Sequence, residues 1–261
     1  EAHRAGRISA TDDPIEAVRR SEISLISVGT PTGADGGPAL GAQDAVVASI
    51  GEALRRKTES HAVVVRSTVM PRTTEQRIGP SLEQASGRRL GDRLELSFNP
   101  EFLREGAAVK DFFHPPFVVV GGVRETDCPQ SKALYAGIDA PFFSTTASIA
   151  ESLKYACNAY HAVKIAFANE LGAVMKSMGI DARETMRLFC EEGQLNISPA
   201  YLRPGFAFGG SCLPKELRAI EGMAKAGRLD LPMLTNVLAS NDRHVDRAFE
   251  MILRRGRRKV A

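Results

Sequence analysis

From residue 1 to about 145, short apolar runs alternate with stretches of helical spacing, the pattern of parallel strands joined by crossover helices. Ile23 to Val28, Ala62 to Ser67, Leu94 to Phe98, Phe117 to Val120 and Pro141 to Ser144 read as the strands. Several are nearly continuous in apolar residues, as in strands covered on both faces. Ala42 to Lys57 reads as the helix between the first two, and Glu1 to Gly6 as a short helical segment ahead of them.

From about residue 147 the pattern changes to helices with no strand signal. Ser148 to Met178 contains no proline and one internal glycine, Gly172. That length exceeds the usual globular helix and predicts an element that crosses a whole domain or a subunit boundary. Leu153, Ala156, Tyr160, Val163 and Phe167 supply apolar surface along it. Gly179 is the expected stop, and Asp181 with Glu184 resembles a capping box opening a helix through Glu191. A loop with Pro199, Pro204, Gly205, Gly209 and Gly210 follows, then helices at Lys215 to Ala226 and Pro232 to Arg255.

The expected fold class is therefore α/β: a partial Rossmann-like parallel sheet over 1–146, an all-helical central domain with one long helix over 147–255, and in 256–261 the entry to a further domain. Both ends read as cut. No Gly-x-Gly-x-x-Gly occurs in the chain, so the usual pyrophosphate cradle of a dinucleotide fold is not among these residues.

Composition narrows the function classes. At 43% hydrophobic and 25% charged, the 261 residues can bury at least one core. A net charge of +3 from 34 basic and 31 acidic side chains is too small and too evenly spread for a nucleic acid partner. The basic cluster Arg254, Arg255, Arg257, Arg258 and Lys259 reads as a solvated helix end. No apolar stretch approaches the roughly 18 to 20 residues that span a bilayer, and residues 1–20 do not resemble a signal peptide; the expectation is a cytoplasmic protein with no membrane partner. Cys128, Cys157, Cys190 and Cys212 form no Cys-x-x-Cys pair, which argues against a metal site and against a disulfide framework.

Three segments carry candidate chemistry. In Tyr201-Leu-Arg-Pro-Gly-Phe-Ala-Phe-Gly-Gly-Ser-Cys-Leu-Pro-Lys-Glu216 a cysteine follows two glycines and precedes a helix, so the backbone can approach a ligand while the helix N-terminus and Lys215 favour a thiolate. A lone cysteine is more often a small buried hydrophobe. That description suits Cys157 and Cys190, inside helices, whereas Cys212 reads as a nucleophile. On the long helix Lys154 and Asn158, four residues apart, project from one face, which His161 and Asn169 extend; a cation beside an amide can stabilise an oxyanion. Alone, that face would read as solvated surface. In Asn99-Pro-Glu-Phe-Leu-Arg-Glu105, just after a strand, Glu101 and Glu105 could orient water or bind hydroxyls, and a turn of solvated acids fits equally well. Two further strand ends, Val28-Gly-Thr-Pro-Thr32 and Arg66-Ser-Thr-Val-Met-Pro71, offer hydroxyls for a cofactor.

Taken in this order, these segments resemble the nucleotide-sugar 6-dehydrogenases, the family of UDP-glucose and GDP-mannose dehydrogenases. The likeness runs over essentially the whole chain, and Gly-Phe-Ala-Phe-Gly-Gly-Ser-Cys-Leu-Pro-Lys215 is its most specific part. Lys154-Tyr-Ala-Cys-Asn-Ala-Tyr-His161, Phe-Ala-Asn-Glu170 and Arg-Pro-Gly-Phe-Ala-Phe208 look more like the GDP-mannose branch. The resemblance implies a four-electron oxidation with two molecules of NAD, taking GDP-mannose to GDP-mannuronic acid. Cys212 would carry the sugar as a thiohemiacetal and then a thioester, and exopolysaccharide precursor supply would be the setting.

By the same resemblance Lys154 and Asn158 would stabilise oxyanions, Glu101 would activate water, Thr30 and Thr68 would face the nicotinamide, and Lys215 would lie near the cofactor. Glu105, His161, Asn169, Tyr201, Arg203 and Phe206 would hold the nucleotide sugar, some of them in a neighbouring subunit's site, since the family pairs subunits through the long helix into dimers or larger homo-oligomers. Where the family has an aspartate four residues after the nucleophile, this chain has Glu216, one methylene longer. Without the glycine cradle, residues 1–261 alone are expected to turn over little. The alternatives are a UDP-glucose or related UDP-sugar 6-dehydrogenase, or a non-catalytic remnant acting through oligomerisation.

Overall fold

Five strands form one sheet in the order β1 (Ile23–Ile26), β2 (His61–Val65), β3 (Leu94–Phe98), β4 (Val118–Gly122) and β5 (Phe142–Thr146) in a computed structural model of the chain. The structure describes residues 4–33, 38–124, 127–198, 200–201, 205–210 and 212–255. Two compact units, Glu1–Asn158 and Ala159–Ala261, divide it.

In the first unit β1–β2, β2–β3 and β4–β5 are parallel. The sheet departs from the expected all-parallel arrangement at β3–β4, which run antiparallel and pair only Ser97 with Gly122 and Phe98 with Gly121. A parallel return needs a crossover of a dozen or so residues, commonly a helix lying on the sheet. The helix between these strands, α4 (Ala108–Phe113), has six residues and buries none of them.

The remaining helices of this unit are α1 (Pro14–Arg19), α2 (Gly41–Arg55), α3 (Gly79–Ser86), α5 (Pro129–Ala133) and the start of α6 (Ala147–Ser177). A π-helical turn, Thr74–Ile78, leads into α3. Residues 4–6, expected to be helical, form a turn. All five residues of β2 are buried, as its continuous apolar run implies. Ile26, Val63, Val65, Leu96 and Phe98 of the sheet pack with Val47, Ile50 and Leu54 of α2, Ile78 and Leu82, and Ala147 and Ala150 of α6. Gly121 is what admits α6 here: a β-carbon on it would lie 2.5 Å from the Thr146 carbonyl oxygen and 2.8 Å from the Ala150 methyl.

The second unit holds the rest of α6, then α7 (Ala182–Glu191), α8 (Cys212–Ala226), α9 (Pro232–Thr235) and α10 (Val237–Arg254). Its core is Val174, Ala224, Leu231 and Leu234, with Phe167, Leu171, Ile220 and Met223 packed around them. Helix α6 ends at Ser177, the chain turns away at Gly179, at φ 71°, and Asp181 caps α7 by accepting from the Arg183 and Glu184 amides at 2.9 and 3.1 Å. The Glu184 carboxylate pairs with Arg187 instead of completing a capping box. The single helix expected over Pro232 to Arg255 is broken at Asn236, whose side chain donates to the Pro232 carbonyl at 2.7 Å and so competes with the helical ladder. Glu170 of α6 accepts from the Met233 and Leu234 amides at 2.9 and 2.8 Å, satisfying the open start of α9. No helix among the described residues is long and apolar enough to cross a membrane.

Candidate active site

Three turns leave the C-terminal ends of β1, β2 and β3 on one edge of the sheet, where open α/β folds bind ligands. The first two meet: the Thr30 hydroxyl donates to the Thr68 carbonyl at 2.9 Å, and Ser67 Oγ donates to the Val28 carbonyl at 2.6 Å. Both threonines are half-buried.

The third turn is fixed by Asn99, which is 2% exposed. Its Nδ2 donates to the Val119 carbonyl at 2.8 Å, while Oδ1 accepts from Arg66 and from the Tyr135 hydroxyl. Arg66 also donates to the Tyr135 oxygen at 2.6 Å. Arg66, Asn99 and Tyr135 are absent from the sequence-derived site. Arg66 and Asn99 open two of the segments that carry candidate chemistry, Arg66 to Pro71 and Asn99 to Glu105, but nothing in the sequence points to Tyr135.

Past Pro100, Glu101 is held through both carboxylate oxygens. Oε1 accepts from Lys154 Nζ at 2.8 Å and Oε2 from the Leu103 amide at 2.7 Å. Lys154 Nζ also reaches the Glu101 carbonyl at 2.7 Å and lies 5.8 Å from the centroid of the Phe102 ring. Burial pushes the Glu101 carboxyl up, but the Lys154 hydrogen bond, the Leu103 amide and the charges of Lys154 and Arg66 outweigh it and hold the group below its ordinary range. Lys154, expected on a polar helix face, is 8% exposed. Asn158, one turn on, is exposed, as is Glu105; between Glu101 and Glu105 and the next helix, Arg104 forks onto Asp111 at 2.7 and 3.0 Å.

Cys212 belongs to the second unit, as the first residue of α8, and its side chain is exposed. Two residues ahead of it is Gly210, whose φ of 83° lies where glycine is favoured. Lys215 Nζ lies 3.3 Å from Glu216 Oε1, both side chains being well solvated, so the residue that replaces the family aspartate pairs with its own neighbour. Tyr201 and Phe206 are 87% and 73% exposed, and His161 and Asn169 are exposed. Arg203 lies outside the described residues. Among the other cysteines, Cys190 is exposed where a buried residue was expected, because α7 buries none of its side chains; Cys157 is half-buried, and burial pushes its thiol up. The buried cysteine is Cys128.

Two side chains of α10, which the sequence did not single out, hold the segment ahead of Cys212. Asn241 accepts from the Phe208 amide at 2.9 Å and donates to the Phe208 carbonyl at 3.0 Å. His244 Nε2 lies 2.9 Å from the Gly205 carbonyl oxygen. Among the described residues no group of three or more His, Cys, Asp or Glu is placed to hold a metal ion.

Comparison with known proteins adds the identity of this frame. GDP-mannose 6-dehydrogenase of Pseudomonas aeruginosa is 43% identical over 260 residues, covering 100% of this chain and 60% of that protein. UDP-glucose 6-dehydrogenase of Haloferax volcanii is 36% identical over 260 residues, covering 98% of this chain and 60% of that protein. The chain therefore spans about three-fifths of the length of these relatives. A crystal structure of a ternary complex of GDP-mannose dehydrogenase from Pseudomonas aeruginosa matches with a TM-score of 0.93 at 43% identity, over 96% of this chain and 57% of that one. Residues 1–139 match the NAD binding domain of the UDP-glucose/GDP-mannose dehydrogenase family and residues 148–243 match its central domain, and the chain belongs to that family.

Proposed function

We propose that the complete protein oxidises C6 of GDP-mannose to the carboxylate of GDP-mannuronic acid. The observation that carries this reading is the 43% identity to a GDP-mannose 6-dehydrogenase along the whole chain. NAD, when bound, supplies the hydride acceptor for both oxidations. Thr30 and Thr68 fit its nicotinamide end, since their half-buried hydroxyls and adjoining carbonyls offer both donors and acceptors to a carboxamide.

In the proposed mechanism the C6 hydroxyl loses its proton and the C6 carbon loses a hydride, which gives an aldehyde. The Cys212 thiolate then adds to the aldehyde carbon, forming the C–S bond and an oxyanion that Lys154 and Asn158 stabilise. Loss of a second hydride from the same carbon leaves a thioester. Water attacks it, the C–S bond breaks, and the acid leaves as the thiolate is restored. Glu101, held ionised by its partners, accepts a proton from that water. Glu105, His161, Asn169, Tyr201, Arg203 and Phe206 contact the nucleotide sugar in this reading, with Lys215 beside the cofactor and Glu216 beside Cys212. Exposed Tyr160 and Val163 of α6, at 39% and 53%, suit pairing of two copies through the long helix.

The complete protein with Cys212→Ser is expected to form no uronic acid from GDP-mannose, since an alkoxide is harder to generate than a thiolate. Acid formation at the parental rate would remove the nucleophile assignment. GDP-mannose is expected to be oxidised with the higher kcat/KM of the two sugars; a higher value for UDP-glucose would move the protein to the other branch of the family.

A further inference from the structure

We infer that Asn241 is a positioning residue for Cys212, fixing from α10 the loop that presents the thiol. The inference rests on the proposed function, because it assigns Asn241 a part in thiohemiacetal and thioester formation. Among the described residues, Phe208 is the last before Cys212 whose backbone a distant side chain holds on both sides, through the Asn241 bonds of 2.9 and 3.0 Å. The carboxamide serves the amide and carbonyl of one residue as a neighbouring strand would. An N–H can only donate and a carbonyl only accept, so the orientation of the Asn241 amide is settled by its partners. Two bonds to one residue also fix its tilt as well as its place, which a single bond does not.

One helical turn further along α10, His244 Nε2 donates to the Gly205 carbonyl at 2.9 Å, and its ring centroid lies 6.5 Å from that of Phe206. The segment 205–208 is thus tied to α10 at both ends. Between it and Cys212 come Gly209, Gly210 and Ser211, and glycine is the residue type with the greatest backbone freedom. Ordering each such residue opposes folding, so a glycine pair needs firm ends to hold a nucleophile in one place. Helix α8 is one end, beginning at Cys212 itself. Asn241 supplies the other. Among side chains of this length only asparagine provides a donor and an acceptor side by side; aspartate keeps the acceptor for the Phe208 amide but sets an oxygen against the Phe208 carbonyl.

The test compares Asn241→Ala and Asn241→Asp with the parent in the complete protein, measuring the first hydride transfer, free aldehyde trapped with hydroxylamine, and acid formed. Misplacing a reacting atom by about 1 Å can slow a step on the order of a hundredfold. Acid formation is therefore expected to fall about that much in Asn241→Ala, with KM for the nucleotide sugar within about twofold of the parent. The first hydride transfer, which does not need the thiol, is expected to continue near the parental rate while trapped aldehyde rises. Asn241→Asp, nearly the same shape, is expected to show the same split. An unchanged ratio of acid to aldehyde in Asn241→Ala would overturn the inference, as would an equal loss of both oxidation steps, the mark of a purely structural residue. Cys212→Ser run in parallel separates the two ideas: acid formation undiminished there defeats the proposed function, whereas its loss there with normal acid formation in Asn241→Ala defeats only the positioning role.

Discussion

Lys154 Nζ donates to Glu101 twice, to the carboxylate at 2.8 Å and to the backbone carbonyl at 2.7 Å, so one ammonium group from α6 grips both the side chain and the main chain of the turn after β3. The two partners differ in solvation. The lysine side chain is 10% exposed and the glutamate side chain 32%.

That difference sets an order for two substitutions. Glu101→Ala leaves a nearly buried cation with one carbonyl oxygen, and stranding a buried charge costs about 3–5 kcal/mol. Lys154→Met leaves a carboxylate that water and the Leu103 amide can still serve, for about 1 kcal/mol. Urea unfolding should rank Glu101→Ala as the more destabilised; the reverse ranking would mean that the cation is better solvated than its burial implies. Because the folded carboxyl is held below its ordinary range, its contribution is present above the unfolded pKa and is lost as pH falls through the folded one. Lys154→Met should weaken that acid dependence.

Glu151 of α6 is fully buried and accepts from the Arg72 amide at 2.5 Å and the Thr74 amide at 2.8 Å, where the π-helical turn begins. Its alanine variant orphans two backbone donors, each worth about 1–3 kcal/mol when left buried and unpaired. Glu151→Gln retains one acceptor of the two, so its loss should be about half as great. Burial pushes this carboxyl up against those same hydrogen bonds, so stability tied to it is full below the unfolded pKa and declines as pH rises through the folded one. Equal losses in the alanine and glutamine variants would show that volume, not capping, is what Glu151 supplies.

The same residue marks where the sequence stops being legible. The five strands follow from apolar runs that any ordering of the sheet would bury, and the long helix from an unbroken stretch without proline. Residues 74–86 gave no such signal, because Gly79-Pro80 reads as a break. The structure carries the chain through it with a π-helical turn, closed by the Gly79 amide on the Thr74 carbonyl, and starts α3 with proline where no amide partner is needed. The amides where the π-helical turn begins are met by Glu151, a partner far along the chain. The reversed β3–β4 pair has a similar cause: strand direction depends on how the intervening loop returns, which periodicity within each strand does not encode. At the candidate site, residue types with chemistry were legible. The groups that hold them, Tyr135 for the Asn99 turn and Asn241 for the Phe208 segment, are common residues at no diagnostic spacing.

The Asn99 cluster gives a further ranking. Asn99→Ala removes the donor to the Val119 carbonyl and the acceptor shared by Arg66 and Tyr135, all at a residue 2% exposed. Losing that network should destabilise by about 2–3 kcal/mol. Tyr135→Phe removes one hydroxyl and leaves Arg66 on Asn99, for about 1 kcal/mol. Thermal unfolding of the two variants checks the order, and a larger effect from Tyr135→Phe would place the ring, not the hydrogen bond, at the centre of the cluster.

His61, at the start of β2, is fully buried between two partners: Lys57 Nζ lies 3.2 Å from Nδ1 and Ser24 Oγ lies 2.8 Å from Nε2. The ammonium can only donate, so Nδ1 is the acceptor and the proton of the neutral ring sits on Nε2, facing Ser24. A second proton would have to enter at Nδ1, against the lysine and out of water; burial first, then the Lys57 charge, lower this pKa from 6.5 to about 4. The unfolded chain thus binds a proton that the folded one refuses throughout that window, and stability must fall as pH drops from 6.5 toward 4. At about 1.4 kcal/mol per pH unit the full loss comes to about 3.5 kcal/mol. Below the folded pKa both states are protonated and this contribution to the slope ends. Carboxylates such as Glu101 add their own slope at lower pH, so the informative comparison is the difference between the parent and His61→Gln, with unfolding free energies measured at half-unit steps. The difference should change by up to about 3.5 kcal/mol across the window and level off on either side. A difference that stays constant through the whole range would mean that His61 takes up its proton at the same pH in the folded protein as in the unfolded chain, with Lys57 turned away from the ring.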